Sequence, residues 1–135
     1  MHLAAFRDTL RARRIINMSY IDGYIVPVKT SRKSEYVELA KTMATLCKEY
    51  GATLLMESWG DDVPEGKVTD FKRAVAAQPD ETVVFSFVVW PSKEVRDAGN
   101  KKMMSDPRMK MDPNGPANMQ RIIFGGFSTI VEHKF

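Results

Sequence analysis

Between Tyr20 and Val28 apolar and polar side chains alternate with a period of two, with Tyr20, Asp22, Tyr24 and Val26 on one side and Ile21, Gly23 and Ile25 on the other. That period predicts a β-strand. The period then changes: Tyr36, Ala40, Met43, Cys47 and Tyr50 recur at spacings of 4, 3, 4 and 3. This predicts a helix capped by Ser31 and stopped at Gly51. Ala52 to Trp59 reads as a second strand that places Thr53, Leu55, Glu57 and Trp59 together, followed by a polar turn from Gly60 to Lys67. A short helix is expected over Asp70 to Ala77, started by Thr69. The β-branched and aromatic run from Thr82 to Trp90 predicts a central strand. A second long helix should run from Ser92 to Ser105, burying Val95, Ala98, Gly99 and Met103, until Asp106-Pro107 stops it. After a loop over Met111 to Asn118, Arg121 to Val131 is the last expected strand, with Gly125-Gly126 marking a bulge or a close backbone approach.

The resulting order, β-α-β-β-α-β without repeats or linkers, predicts an α+β chain of the ferredoxin-like kind: an antiparallel sheet with two helices on one face. The helix-free face is then expected to carry Tyr20, Tyr24, Leu55, Trp59 and Trp90, a larger aromatic surface than a monomer shows to water. A second copy related by a two-fold axis is the economical cover; it would set sheet against sheet, enclose a cavity and make the protein a homodimer.

Length and charge narrow the field further. With 135 residues the chain holds one core, and 44% hydrophobic with 27% charged residues is the balance of a globular, non-membrane chain. No run approaches the roughly 18 apolar residues of a membrane span. The net charge of +3 resides in residues 1–17, where Arg7, Arg11, Arg13 and Arg14 face Asp8 alone, so residues 18–135 balance at 16 basic and 16 acidic. A neutral body lacks the positive field used in phosphate-backbone binding, and Val83 to Trp90 lacks the RNA-recognition pattern, so no nucleic-acid partner is expected. The basic segment 1–17 is expected to lie outside the domain formed by 18–135, as an extension or a product of an upstream start; a targeting signal is the alternative. Cys47, alone, allows no intrachain disulfide and suits a reducing cytoplasm.

Several runs carry a resemblance: Tyr20-Ile-Asp-Gly-Tyr-Ile-Val-Pro-Val28, Trp59-Gly-Asp-Asp-Val-Pro-Glu-Gly-Lys67 with Thr69-Asp-Phe71, Trp90-Pro-Ser-Lys93 with Arg96-Asp-Ala-Gly-Asn100, Asp106-Pro-Arg-Met109 and Gly125-Gly-Phe127. Over Met18 to Val131 the chain resembles the YbaA-like family of uncharacterised bacterial proteins (DUF1428). The resemblance implies the dimeric α+β barrel superfamily, makes Met18 the usual start, and implies no settled activity. One departure stands before the last strand, where Ala117 and Asn118 occupy positions at which relatives tend to carry Phe-Asp.

Asp22, Glu57, Tyr24 and Trp59 share one sheet face by alternation, so two carboxylates and two rings are candidates to converge in a desolvated space with Trp90 beside them. Burial would raise a carboxylate pKa and suit Asp22 or Glu57 to proton transfer. Against this stands a structural reading, in which each carboxylate pairs with a basic partner such as Arg121 or Lys72 or is solvated at a rim. The acidic loop Asp61, Asp62, Glu65 and Asp70 lacks calcium-loop spacing. Asp61 or Asp62 is expected to accept turn N–H groups and pair with Lys67, Lys72 or Arg73 at the cavity mouth. His2 and His133 lie near the chain ends, leaving no core imidazole for haem, zinc or a serine relay, so neither a metal nor a cofactor is expected. Two functions follow: cofactor-independent small-molecule chemistry, as in monooxygenases and isomerases of the superfamily the chain resembles, or a non-catalytic, ligand-binding or stress-related dimer.

Overall fold

The structure is a computed structural model that describes residues 18–110 and 112–135; the expectations for 1–17 lie outside the described residues. Strand β1 (Tyr20–Lys29) leads through a 3-10 turn (Thr30–Arg32) into helix α1 (Lys33–Glu49), then strand β2 (Leu54–Trp59), a one-turn helix α2 (Phe71–Ala74), strand β3 (Glu81–Trp90), helix α3 (Lys93–Met104) and strand β4 (Ile123–Ser128). The strands form one antiparallel sheet in the order β2-β3-β1-β4, the ferredoxin-like α+β arrangement.

Local chemistry explains most boundaries. Ser92 Oγ accepts the Val95 N–H and starts α3. Asp70, one residue after the expected Thr69, caps α2 by accepting the Arg73 N–H at 2.7 Å, and that helix ends at Ala74 rather than Ala77. Ser31 caps nothing; it sits in the 3-10 turn, and α1 begins two residues later. Pro27 fits a central strand because its carbonyl, and so its missing N–H, faces the side where β4 has already ended at Ile25↔Ile123; Asn118 N–H fills that edge by donating to Pro27 O.

The helices cover the face that carries Tyr20, Tyr24, Leu55, Trp59 and Trp90. Leu46 and Cys47 of α1 and Met103 of α3 pack on Val88 and Trp90, ringed by Tyr20, Tyr24, Tyr50 and Leu55. Val26, Val28 and Val84 form a second cluster with Tyr24, Tyr36 and Trp59. This overturns the expected side: the aromatic residues share one face as alternation requires, but that face is the helix-covered core. Aromatic bulk fills the thick layer between helix and sheet, where dispersion and burial return most.

The open face belongs to the other parity: Ile21, Gly23 and Ile25 of β1, Leu54 and Met56 of β2, Phe85 and Phe87 of β3, and Ile123 and Phe127 of β4. Leu54, Met56, Phe85, Ile123 and Phe127 are exposed there. Gly125-Gly126 is no bulge, since both residues pair in register with β1. Gly126 is the close approach, since a Cβ there would strike the Tyr20 hydroxyl, whereas one on Gly125 would make ordinary contact with the Phe127 ring. Ala98, expected in the core, is exposed, whereas Gly99 and Met103 are buried.

Candidate functional site

Asp22 and Glu57 stand on the same sheet face and have opposite surroundings. Asp22 is 3% exposed. Its oxygens accept from Trp90 Nε1 at 3.0 Å, from Arg96 Nε at 3.0 Å and from Asn100 Nδ2 at 3.3 Å, and Arg96 Nη2 lies 2.8 Å away. Every strong acceptor direction is thereby occupied. Arg96 is held above the ordinary guanidinium range, chiefly by its hydrogen bond to Asp22, and its guanidinium lies 5.1 Å from the centre of the Tyr20 ring. The group is a charge-balanced tie between β1, the end of β3 and α3.

Glu57, on edge strand β2, has no basic partner among the described ion pairs. Tyr36 of α1 donates its hydroxyl to Oε2 at 2.7 Å, and Ser86 stands directly opposite on β3. Burial pushes the Glu57 pKa above the ordinary carboxylate value, with the Tyr36 hydrogen bond opposing it. Tyr36 is itself driven upward by burial and by the Glu57 charge. The carboxyl lines a groove of about 340 Å³ between α1 and β2, walled by Val37, Ala40, Ala44, Leu55, Trp59 and Val84. At its mouth Lys33 Nζ lies 5.1 Å from the Trp59 ring centre, a cation–π contact.

Tyr24 packs against both core clusters, and burial, reinforced by the Asp22 charge, pushes its hydroxyl up to about 12. Cys47, beneath, is pushed up to about 11 by burial first and by Asp22 and Glu57 next, so it stays a thiol at neutral pH.

Of the expected site residues, the groove therefore gathers Glu57 and Trp59, while Asp22, Tyr24 and Trp90 lie deeper in the core. Arg121 pairs with neither carboxylate. It binds Glu81 at 2.6 Å and donates to the carbonyls of Val75 and Ala76, closing the end of the sheet. Asp61 and Asp62 are exposed and, among the described residues, take part in no side-chain hydrogen bond or ion pair. The turn role expected of them belongs to Asp70, which accepts from Gly66 N and Arg73 N. Three positions around the carboxylates escaped the sequence reading: Tyr36, which bonds Glu57, and Arg96 and Asn100, which bond Asp22. The last two lie four apart beside Gly99 and Met103, and polar residues at that spacing on a buried helix stripe were the available signal.

No helix among the described residues is long and apolar enough to cross a membrane, and no group of three or more potential metal ligands occurs among them. The family model described as "Protein of unknown function (DUF1428)" matches residues 19–121. The "Uncharacterized protein YbaA" of Escherichia coli (strain K12) is 52% identical over 116 residues, covering 85% of this chain and 99% of its own length. The proteins of the same description from Escherichia coli O157:H7 and Shigella flexneri show the same 52% identity and coverage.

Proposed function

The chain belongs to the DUF1428 family of proteins of unknown function, and on that premise we propose that it is a small-molecule-binding homodimer whose ligand site is the groove between α1 and β2 in each protomer. The observation that carries this reading is Glu57: a half-buried carboxyl in the groove that accepts the Tyr36 hydroxyl and has no ion-pair partner among the described residues. A purely structural carboxylate is normally neutralised by an opposite charge, as Asp22 is by Arg96. An unneutralised one inside an apolar groove is a group poised to hydrogen-bond a ligand or exchange a proton with it. The groove volume lies near the low end of small-molecule sites, roughly 300–1,000 Å³, and suits a one- or two-ring molecule.

Dimerisation is supported by the open sheet face, whose exposed Leu54, Met56, Phe85, Ile123 and Phe127 form an apolar band left uncovered by the described residues. A second copy would bury that band against itself and leave both grooves on the outside. Cofactor-independent proton transfer at Glu57 is the catalytic form of this reading, and binding without turnover is its simpler form; a cytoplasmic setting suits the unpaired thiol of Cys47.

The test is a calorimetric screen of one- and two-ring molecules against the wild type, Glu57→Gln and the groove-filling Ala40→Phe. Ligands that bind the wild type are expected to lose about tenfold in affinity with Glu57→Gln and to be excluded by Ala40→Phe. Ligands indifferent to both substitutions would place the site elsewhere.

A further inference from the structure

Among the described residues β4 pairs with β1 alone and β2 with β3 alone, so each has an outer edge of unpaired backbone groups. β4 is the barer of the two. Ile123 to Val131 contains no charge, Phe124 is 75% exposed on the helix side, and Ile123 and Phe127 are exposed on the other. An uncharged edge strand of this kind is a template for pairing with another strand. The phase of both edges follows from two hydrogen bonds, Gly60 N–H to Val83 O and Thr129 N–H to Ser19 O, which continue the strand registers. Bonded residues alternate in an antiparallel pair, so Leu55, Glu57 and Trp59 turn their N–H and C=O groups to the outer edge of β2, and Phe124 and Gly126 theirs to the outer edge of β4. The two edges also stand at the same level. Through β3 and β1, Glu57 aligns with Ser86, Tyr24 and Phe124, and Met56 aligns with Phe87, Gly23 and Gly125.

The Met56 row crosses the middle of the open face and is lopsided. Its β2 half carries the large side chains of Met56 and Phe87, whereas Gly23 and Gly125 in its β4 half carry none and have only the Phe127 ring lying against them. A two-fold axis across the strands through this row would set Met56 and Phe87 on their own copies and glycine on glycine. An axis along the strands instead sets each large pair over the partner's glycines, which close packing favours. It also keeps every strand at its level and direction, so that β4 of one copy runs antiparallel to β2 of the other with both sets of outer backbone groups in phase. We infer that two copies join about a two-fold axis parallel to the strands, β4 of each closing on the outer edge of β2 of the other. The partner's Phe124 then stands opposite Glu57 and supplies the wall that the groove between α1 and β2 lacks in a single chain. Opposed residues of a ladder share a face, and both of these lie on the helix side. Resting on the homodimer and on the groove as its ligand site, this geometry adds the direction of the axis and a residue of the site: each groove is built by both copies, and separating them opens it.

The experiment is disulfide trapping in the full-length protein, with two double variants, Met56→Cys with Gly125→Cys and Glu57→Cys with Phe124→Cys, and the four single variants. Adjacent strands hold opposed Cα atoms at roughly 5.5 Å, within disulfide reach. Within one chain β2 and β4 are three strand spacings apart, about 14 Å, so only a bond between copies can form. On mild oxidation both double variants are expected to run as covalent dimers on a non-reducing gel, and the single variants and the wild type, whose Cys47 is buried, as single chains. Self-linking of Met56→Cys or of Gly125→Cys alone would put the axis across the strands and overturn the inference while keeping the dimer. A bond at the first pair without one at the second overturns the shared groove. Absence of both bonds in variants that are dimeric by native mass spectrometry means that the edges do not meet, and it overturns the inference but leaves a face-to-face dimer. A monomeric wild type removes the dimer reading along with it.

Discussion

Asp22 and Glu57 are two residues of the same charge on one face, and their neighbours give them different chemistry. Asp22 is matched by Arg96 and saturated by Trp90 and Asn100. Glu57 has hydroxyls for company, and burial raises its pKa. The sign of the consequence follows from linkage. A carboxyl with a raised folded-state pKa holds its proton more tightly in the folded chain than in the unfolded one, so its contribution is full below the ordinary value of about 4.3 and is lost as pH rises through the folded-state pKa. Glu57→Gln keeps the acceptor for Tyr36 and cannot ionise. The melting temperature of Glu57→Gln minus that of the wild type is therefore expected to climb between about pH 4 and pH 8. Taking the difference cancels the carboxylates with lowered pKa values, Glu35, Glu49, Asp70, Asp80, Glu81 and Asp106, which act in the opposite sense. A flat difference would mean that Glu57 ionises as freely in the folded chain as in water.

In α3, propensity and packing make opposite forecasts at Gly99. Alanine is a better helix former than glycine by about 1 kcal/mol, which alone would make Gly99→Ala stabilising. The added Cβ, however, would lie 2.7 Å from Trp90 Cη2 and 2.9 Å from the Tyr50 carbonyl oxygen. Neither neighbour yields cheaply: Trp90 is 1% exposed with its indole N–H bound to Asp22, and the carbonyl is backbone. Overpacking should win, so Gly99→Ala is expected to destabilise by about 1–3 kcal/mol in denaturant unfolding. A more stable variant would show that α3 can move off the sheet. The last strand illustrates the same competition. Alternation and β-branching extend it from Arg121 to Val131, yet it pairs over Ile123–Ser128, and its start is delayed because Arg121 is drawn to Glu81 and to the carbonyls of Val75 and Ala76.

For the whole molecule the unanswered demand is the open sheet face. Phe85 sits near the middle of it, 47% exposed, with Phe71 edge-on at 6.3 Å and Phe87 at 6.1 Å. If two faces meet about a two-fold axis, a charge placed there is buried against its own copy. The wild type is expected at twice 15.3 kDa in native mass spectrometry, and Phe85→Glu at 15.3 kDa with unchanged far-ultraviolet circular dichroism. A monomeric wild type, or a Phe85→Glu that still pairs, would show that another surface or partner covers the sheet.

The sequence by itself determined the element order and the parity of each strand, since periods of two and of 3.6 residues are local properties and the ferredoxin-like topology follows from their order. It therefore put Asp22, Tyr24, Glu57, Trp59 and Trp90 on one face correctly. Only the tertiary structure decided which face the helices cover, because both parities of this sheet are apolar: Tyr20, Tyr24 and Val26 on one side, Ile21 and Ile25 on the other. It decided, too, which cation answers which carboxylate. Arg96 is 74 residues from Asp22 in sequence, a separation at which composition offers Arg121 or Lys72 equally well, and the choice is made by the packing of α3 across the sheet. That packing neutralised Asp22 and left Glu57 without an ion-pair partner among the described residues, and so separated a structural carboxylate from a candidate functional one.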